Sequence, residues 1–391
     1  MHYAARNTSA MLIGIDASRT VIADRTGTEN YTLHLIRAMI TQGSTHHFRL
    51  YFNAPPHGGL FPRTPQCSQS VIPWPRLWTH VRLSGELARH RPDVLFVPSH
   101  VLPLVCPVPG VVTVHDLGYL AYPEAHRRFD RWYLDWTTRR HTRVAAHLLA
   151  DSEVTRQDLI WHYGADSNRI TVVYPGLDPA FQPIDDPAQL AAVRSRYGID
   201  SDYVIHLGTL QPRKNIGRLL DAFERLHNSK SEIRNSKLDL VLAGKPGWLA
   251  QDLVARVTAM GDQVRLIGHV EQSDLPALIS GARALVMPSL YEGFGFPVLE
   301  AMACGTPVVA SNVSSLPEVA GDAALLIDPH DTGAMAHALE HILTDDDLRA
   351  DLRRRGLERA RHFTWQRAAQ QTLTVLENVV SNHRPPRFPY Q

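Results

Sequence analysis

The sequence predicts two α/β domains, each built on a parallel sheet, and three observations support this prediction. Twelve short apolar runs alternate with helical patterns along the whole chain, which is typical of β-α-β units whose sheets are covered on both faces. The length of 391 residues exceeds what one compact core accommodates and suits two domains. A segment with four prolines and three aspartates, 174–189, divides the runs into two series.

The apolar runs are expected to form buried strands. They lie at 11–17, 48–53, 93–99, 111–117, 147–151 and 170–176, and then at 202–208, 238–244, 264–270, 284–289, 307–311 and 323–329. We therefore expect a first Rossmann-like domain at 1–180 and a second at 186–362, with 174–189 as the linker. Ligands of open α/β sheets bind beyond the carboxyl ends of the strands, so we expect the two sheets to face a common cleft.

Composition and charge restrict the class of protein. Apolar residues make up 44% and charged residues 20% of the chain, as in ordinary globular proteins, and a net charge of +1 argues against a general nucleic-acid binder. Cys67, Cys106 and Cys304 are too few and too far apart for a disulfide framework or a zinc site, which fits a reducing cytoplasm. We expect neither a signal peptide nor a membrane-spanning helix, because no apolar run reaches roughly 18 residues.

The segment YEGFGFPVLEAMACG predicts a loop followed by a short helix over 297–304, with Pro297 at its first position and Gly305 at its end. The four residues before Pro297 are Gly293, Phe294, Gly295 and Phe296. None of them has the oxygen-bearing side chain that normally caps a helix. Uncapped N–H groups, close backbone approach and the helix dipole favour a phosphate site here, and the alternative is a loop capped by water or by a distant side chain.

Glu292 and Glu300 flank this helix start. A carboxylate pair for acid/base chemistry needs both side chains at one reacting atom, but Glu300 lies about one turn, roughly 5 Å, inside the helix and Glu292 lies before it. A metal site lacks further oxygen or histidine ligands nearby. We therefore interpret the two glutamates as acceptors for hydroxyl groups of a sugar or a ribose, on different sides of the phosphate site.

A second candidate segment is HLGTLQPRKNIGRLLDAF, at 206–223. A predicted strand ends at Gly208, and Arg213 and Lys214 precede a helix that begins near Asn215. The arginine fork matches phosphate geometry and lysine adds a point charge, so this pair could stabilise a departing diphosphate. The alternative is a solvated pair of loop cations.

Two segments of the first domain carry further candidates. His115 and Asp116 end an apolar strand, so His115 could donate to a sugar or phosphate oxygen; the alternative is that His115 pairs with Asp116. The segment 24–39 contains a glycine loop that runs into the first helix. It lacks G-x-G-x-x-G, which argues against a nicotinamide-dependent oxidoreductase.

The segment 127–143 combines basic and aromatic residues, with six arginines and two aspartates. Its aromatic residues, at helical spacing, are Phe129, Trp132, Tyr133 and Trp136. A basic amphipathic helix of this kind can lie on an anionic membrane, and 74–83 has a similar composition. The alternative is a helix whose aromatic stripe is core and whose arginines are solvated.

Together these segments resemble the GT4 family of retaining glycosyltransferases, which have the GT-B fold. The match rests on E-x7-E within EGFGFPVLEAMACGTPVVAS, on GTLQPRKN, on VTVHDL and on ADSEVTRQDLIWHYGADSNRITVVYPGLDPAF, which occur in the family's order. The resemblance covers nearly the whole chain and is weakest over 55–90. The family loop RTGTEN has Gly27 as its only glycine. The resemblance also implies that 363–391, with a helix at 363–380, packs back on the first domain.

The resemblance implies roles for individual residues. Glu292, aided by the backbone of Phe294 and Gly295, would hold hydroxyls of the donor hexose, and Glu300 would hold the ribose. Arg213 and Lys214 would bind the diphosphate, and His115 would approach the donor sugar from the opposite domain. The remaining donor-side candidates are Gly208, Gly268, His269, Val270, Gly293 and Phe296, with the base near 268–270. The acceptor-side candidates are Gly27, Thr28 and Asp116.

The implied chemistry is hexose transfer with retention, by front-face attack, from a nucleotide-sugar co-substrate, with no cofactor and no divalent metal. Cationic side chains and the helix dipole stabilise the leaving diphosphate, and domain closure excludes water. Within the family the sequence is nearest to bacterial O-antigen and exopolysaccharide mannosyltransferases. This favours GDP-mannose over UDP-glucose and UDP-N-acetylglucosamine, with a saccharide or polyprenyl-linked saccharide as the acceptor.

Other functions remain open from the sequence. They are a GT-B nucleotide-sugar epimerase and a non-catalytic module that binds a sugar nucleotide or a lipid. The expected location is the cytoplasm, extended to the inner face of the membrane if 127–143 contacts lipid.

Overall fold

The computed structural model describes residues 10–22, 27–42, 45–74, 77–99, 101–125, 127–228, 237–245, 247 and 251–383. These residues form two compact units. The first unit consists of the described residues within 1–117, 132–176 and 364–391, and the second of those within 118–131 and 177–363.

Thirteen strands lie in the described residues, and all of their pairings are parallel. They are β1 Leu12–Asp16, β2 His47–Phe52, β3 Cys67–Val71, β4 Val94–Val97, β5 Gly110–Val114, β6 His147–Ala150, β7 Ile170–Val172, β8 Asp202–Leu207, β9 Leu238–Ala243, β10 Val264–Gly268, β11 Ala284–Met287, β12 Val308–Ser311 and β13 Leu325–Ile327. The first unit holds a seven-stranded sheet of order β3-β2-β1-β4-β5-β6-β7, and the second a six-stranded sheet of order β10-β9-β8-β11-β12-β13. The prediction of two parallel α/β sheets is confirmed.

The α-helices of the described residues follow the strands in the expected alternation. They are α1 Gly27–Thr41, α2 Ser84–Arg89, α3 Gly118–Ala121, α4 Arg128–Val144, α5 Glu153–Tyr163, α6 Pro187–Arg196, α7 Ile216–Asn228, α8 Gln251–Ala259, α9 Leu275–Ser280, α10 Phe296–Ala303, α11 Leu316–Ala320, α12 Thr332–Thr344, α13 Asp346–Ala360 and α14 Trp365–His383. In the first unit α14 packs against α1, and both contribute to one apolar core. Gly176 is required beside α14, because a Cβ atom there would lie 2.1 Å from the backbone nitrogen of Trp365.

The sequence analysis missed β3. Its sequence is CSQSV and most of its residues are exposed or partly exposed, since it is the edge strand of the first sheet. Continuous apolar runs indicate buried strands, whereas a polar edge strand has no such run. Other predicted strands were too long at their carboxyl ends: β7 covers Ile170–Val172 rather than 170–176, because the chain leaves the sheet before Pro175.

The alternative in which the aromatic stripe of 127–143 is core is wrong. The buried residues of α4 are Thr137, Thr138 and His141. Phe129, Trp132 and Trp136 are exposed instead. Tyr133 is partly buried.

Membrane-spanning helices and disulfide bonds were both expected to be absent. In the described ranges, no helix has both the length and the apolar composition needed to cross a bilayer. Cys67, Cys106 and Cys304 all carry free thiols.

Candidate active site

The loop between β11 and β12 leads into α10, which begins at Phe296, one residue earlier than predicted. Gly295 precedes the helix with φ 105°, and no side chain makes a capping hydrogen bond to its first turn. Glycine is needed at this position twice over, because φ is positive and because a Cβ would lie 2.7 Å from Leu316. The expected helix start without a side-chain cap is therefore present, with Pro297 in its first turn.

Glu292 forms an ion cluster with both cations of the second candidate segment. Lys214 Nζ donates to Glu292 Oε1 over 2.6 Å, and Arg213 Nη1 donates to Glu292 Oε2 over 2.9 Å. Arg213 also donates to the carbonyl oxygen of Tyr291 over 2.9 Å. The side chains of Glu292 and Lys214 are each only 8% exposed, so this is a buried pair and not a pair of solvated loop cations.

The ion cluster fixes the protonation state of Glu292. Burial by itself raises the pKa of this carboxyl, but the charges of Lys214 and Arg213 outweigh burial and lower the pKa to about 2. Glu292 is therefore ionised at any physiological pH and cannot act as a general acid.

Local backbone geometry places the two cations. They lie on a 3-10 turn, Pro212–Lys214, that ends at Asn215 in the left-handed conformation with φ 59°. The Asn215 side-chain amide donates to the carbonyl oxygens of Pro288 and Pro329 over 3.1 and 2.7 Å. Gly208 has φ 137° and leaves room for the Lys214 side chain. A Cβ atom added at Gly208 would lie 3.3 Å from Lys214 Cε.

Two serines that the sequence analysis did not consider hold the Glu292 loop. The Ser315 hydroxyl lies 2.9 Å from the carbonyl oxygen of Glu292 and 2.8 Å from that of Phe294. The backbone N–H of Glu292 donates to Ser314 Oγ over 3.0 Å. A serine pair that follows a strand carries no pattern that singles it out, so only the structure could reveal this role.

Glu300 lies on α10 in a different environment. Its side chain is partly buried. Burial, and to a smaller extent the negative charge of Asp178, raise the pKa of its carboxyl to about 7. No cation contributes to this pKa shift, in contrast to Glu292. The two glutamates of the motif thus differ strongly in acidity, which agrees with separate tasks rather than with one shared proton.

The residues predicted to meet the base follow β10. Gly268 ends this strand with φ 70° and accepts a hydrogen bond from the N–H of Gly244 over 2.7 Å. His269 is exposed and Val270 is buried. Because all six strands of this sheet are parallel, these residues lie at the same edge as Gly208 and the Glu292 loop, where ligands of such sheets bind.

His115 follows β5 in the first unit, and its Nδ1 lies 2.6 Å from Asp151 Oδ2. Asp151 follows β6, the neighbouring strand, whereas Asp116 is exposed. The alternative in which His115 pairs with Asp116 is therefore wrong in its partner: His115 pairs with Asp151, a residue that sequence analysis missed. Burial lowers the pKa of His115, but the charge and hydrogen bond of Asp151 outweigh it and raise the pKa above its usual value.

The acceptor-side candidates Gly27 and Thr28 begin α1. The Thr28 carbonyl oxygen accepts from Thr32 Oγ1 over 2.9 Å, a bond within the first turns of the helix. Arg25 and Thr26, the first residues of RTGTEN, lie outside the described residues. Within the described ranges, no group of three or more acidic, histidine or cysteine side chains is arranged to hold a metal ion.

Comparison with known proteins decides the family. The profile described as Glycosyltransferase Family 4 matches residues 25–181, and the profile described as Glycosyl transferases group 1 matches residues 193–359. Over 270 residues the chain is 37% identical to O-antigen chain mannosyltransferase B of Escherichia coli, which covers 68% of this chain and 69% of that relative. The chain belongs to the GT4, group 1, glycosyltransferases.

One further relative supports this glycosyltransferase assignment, and one solved structure supports the fold. The chain is 35% identical over 252 residues to a D-inositol 3-phosphate glycosyltransferase of Salinispora tropica, which covers 61% of this chain and about half, 52%, of that relative. The structure of a sucrose-phosphate synthase from Thermosynechococcus elongatus superposes with a TM-score of 0.72 at 21% identity, over 95% of this chain and 100% of that one. The predicted GT-B fold is confirmed, and the protein is a GT4 hexosyltransferase that uses a nucleotide-sugar donor and a glycan acceptor.

Proposed function

We propose that this glycosyltransferase transfers mannose, with retention, from GDP-mannose to a saccharide or polyprenyl-linked saccharide in cell-surface polysaccharide synthesis. The relative at 37% identity is an O-antigen chain mannosyltransferase, which supports both the sugar and the kind of product. The observation that carries the proposal is the ion cluster of buried Glu292 and Lys214 with partly exposed Arg213, together with the start of α10, which has no side-chain cap.

The cluster suits a diphosphate because it brings two cations together at a single carboxylate. The positive end of the α10 helix dipole adds to the two cations. Glu292 holds both cations at fixed positions before the donor arrives, so no reorganisation is needed as charge develops.

Glu292 can also bind the donor sugar. Each of its oxygens accepts one hydrogen bond from a cation, and a carboxylate oxygen has capacity for about two. The remaining capacity can accept hydroxyl groups of the hexose, while Glu300 accepts those of the ribose.

In the proposed reaction, the bond between the anomeric carbon and the donor phosphate oxygen breaks as the acceptor oxygen bonds to that carbon from the same face. The acceptor proton moves to the departing phosphate oxygen, and GDP leaves. Arg213 and Lys214 stabilise the negative charge that develops on the diphosphate. Glu292 stays ionised throughout, so it orients the sugar and transfers no proton.

We place the acceptor with the first unit, where Gly27, Thr28 and Asp116 are the candidates and His115 serves the donor sugar. The functional boundaries in this proposal are 1–180 and 186–362, with α14 part of the acceptor-side unit. A polyprenyl-linked acceptor would also give 127–143 a membrane surface to contact, at the cytoplasmic face.

Thermal unfolding with GDP-mannose, UDP-glucose and UDP-N-acetylglucosamine tests the donor. A ligand at a hundred times its Kd stabilises the folded state by about 2.7 kcal/mol, so the true donor gives the largest rise in Tm. We expect GDP-mannose to give it, and a larger rise with either UDP-sugar would overturn the donor assignment. Epimerised sugar after incubation of a nucleotide-sugar without acceptor would overturn the transferase assignment.

A further inference from the structure

Helix α4 exposes aromatic side chains that a folded protein normally buries. Phe129 is 70%, Trp132 60% and Trp136 38% exposed. The rings of Trp132 and Trp136 stack with centroids 6.4 Å apart, so the exposed face is ordered by its own contacts. An exposed aromatic stripe of this kind marks an interaction surface.

A second apolar segment lies against the same helix, although fifty or so positions separate the two in sequence. His80 Nε2 lies 3.4 Å from the Tyr133 hydroxyl, and this contact joins residues 77–83 to α4. This segment exposes Trp74 to 47%, Leu77 to 68% and Val81 to 50%. Leu77 has φ 54°, a left-handed conformation that is costly for leucine.

Positive charge surrounds these apolar side chains. The part of α4 in the first unit, 132–144, carries Arg139, Arg140 and Arg143 and a single aspartate, Asp135. In the second segment the Arg82 guanidinium lies 5.9 Å from the centre of the Trp74 ring. Aromatic side chains bordered by arginines match the boundary between lipid headgroups and acyl chains, where the rings enter the boundary and the cations meet anionic headgroups.

We propose that residues 132–144 of α4, together with Trp74 and residues 77–83, form one surface, here called the aromatic-basic face, that docks on a membrane containing anionic lipid. A second copy of the chain fits this face less well, because a symmetric contact would bring the arginines of the two copies together. The inference rests on the proposed function only in that a polyprenyl-linked acceptor would lie in the same membrane; lipid binding itself is independent of the donor.

Flotation with vesicles tests the aromatic-basic face. The full chain is mixed with phosphatidylcholine vesicles or with vesicles that also contain phosphatidylglycerol, at low and at high salt. We expect binding to the phosphatidylglycerol vesicles only, with loss at high salt because exposed charges are screened. Equal binding to both vesicles, or binding to neither, would overturn the proposal.

Matched variants locate the binding. Arg139, 54% exposed and paired with Asp135, is changed to glutamate; the control is Arg354→Glu in the second unit, 65% exposed and paired with Asp351. The apolar variant is Trp132→Ser with Leu77→Ser, and its control is Leu326→Ser, 37% exposed in the second unit. We expect roughly tenfold weaker vesicle binding for each variant of the aromatic-basic face. The control variants should bind vesicles as tightly as the wild type.

Two more measurements separate this proposal from its alternatives. Transfer to a water-soluble acceptor should be unchanged in all four variants, so loss of lipid binding is distinguishable from failure of the proposed function. The wild type and the variant with Trp132→Ser should have the same oligomeric state in sedimentation experiments. If the wild type self-associates and the variant with Trp132→Ser does not, the aromatic-basic face binds a second copy and the membrane proposal is wrong.

Discussion

Glu292 and Glu300 belong to one short motif, but the protein gives them opposite properties. Glu292 is buried between Lys214 and Arg213 and has a pKa of about 2. Glu300 lies on α10, where burial and Asp178 raise its pKa to about 7. The difference teaches that position in a motif does not set the chemistry of a carboxyl group; its partners do.

The comparison assigns different tasks to the two residues. A permanently ionised Glu292 fixes two cations, and in the proposed function it accepts hydroxyl groups of the hexose at every pH. In the same proposal Glu300 accepts ribose hydroxyls fully only when it has lost its proton, so its contribution varies around neutral pH.

The largest expected effect comes from Glu292→Gln, which removes the charge that holds Lys214 and Arg213. We expect kcat to fall by about 10³ because the diphosphate-binding cations lose their fixed positions. Breaking a buried ion pair by removal of one partner costs about 3–5 kcal/mol, so urea unfolding should show reduced stability with an intact circular dichroism spectrum. Turnover close to wild type would contradict the role given to Glu292.

A smaller effect is expected for Glu300→Gln, the matched change at the other end of the motif. The Kd for the donor should rise about tenfold, because the variant loses one charge-assisted hydrogen bond to the ribose. The free energy of unfolding should change little. No ion pair is broken here, unlike at Glu292.

The pH dependence of donor binding sharpens the comparison. Protonation removes the Glu300 acceptor, so wild-type affinity should fall as pH decreases through about 7. Donor binding favours the ionised form, so the midpoint lies at or below that value. Titration calorimetry of Glu300→Gln should show a donor affinity that does not change over this pH range. A wild-type affinity that rises on acidification would contradict the role given to Glu300.

The Asp151→Asn substitution should have a still smaller effect, because it acts through His115. Turnover should fall severalfold, well below the roughly hundredfold that loss of a proton-transfer group costs. The distinguishing readout is the pKa of His115 by NMR, which should fall because Asp151 is what raises it. An unchanged His115 pKa would show that Asp151 does not tune the imidazole.

No effect is expected from EDTA. In the proposed reaction Arg213, Lys214 and the α10 dipole neutralise the leaving diphosphate, so chelation should leave the initial rate of transfer unchanged. Activity that is lost in EDTA and restored by a divalent cation would show that the ion cluster is insufficient.

The sequence predicted the sheets and the helix start because both leave local signals. Continuous apolar runs predicted every strand except β3, whose sequence CSQSV suits a solvated edge. The Gly-Phe-Gly-Phe run before Pro297 predicted a helix without a side-chain cap, as observed. Strand ends were less accurate, since a strand stops where pairing stops and not where apolar residues stop.

Contacts between distant segments could not be predicted in the same way. Arg213, Lys214 and Glu292 were each candidates, but nothing in the sequence indicated that the two cations pair with Glu292 across 79 and 78 positions. Asp151 and Ser315 act through strands and loops that become neighbours only in the folded sheet. Partners of this kind require the three-dimensional register.

In the proposed function Lys214 and Arg213, held by Glu292, bind the donor diphosphate. A ³¹P NMR titration of GDP-mannose with the wild type, with Lys214→Met and with Arg354→Met as the control tests it most directly. We expect the wild type and Arg354→Met to shift both phosphorus resonances, and Lys214→Met to bind at least tenfold more weakly because a charged contact is lost. Equal shifts and equal affinity for Lys214→Met would contradict the claim.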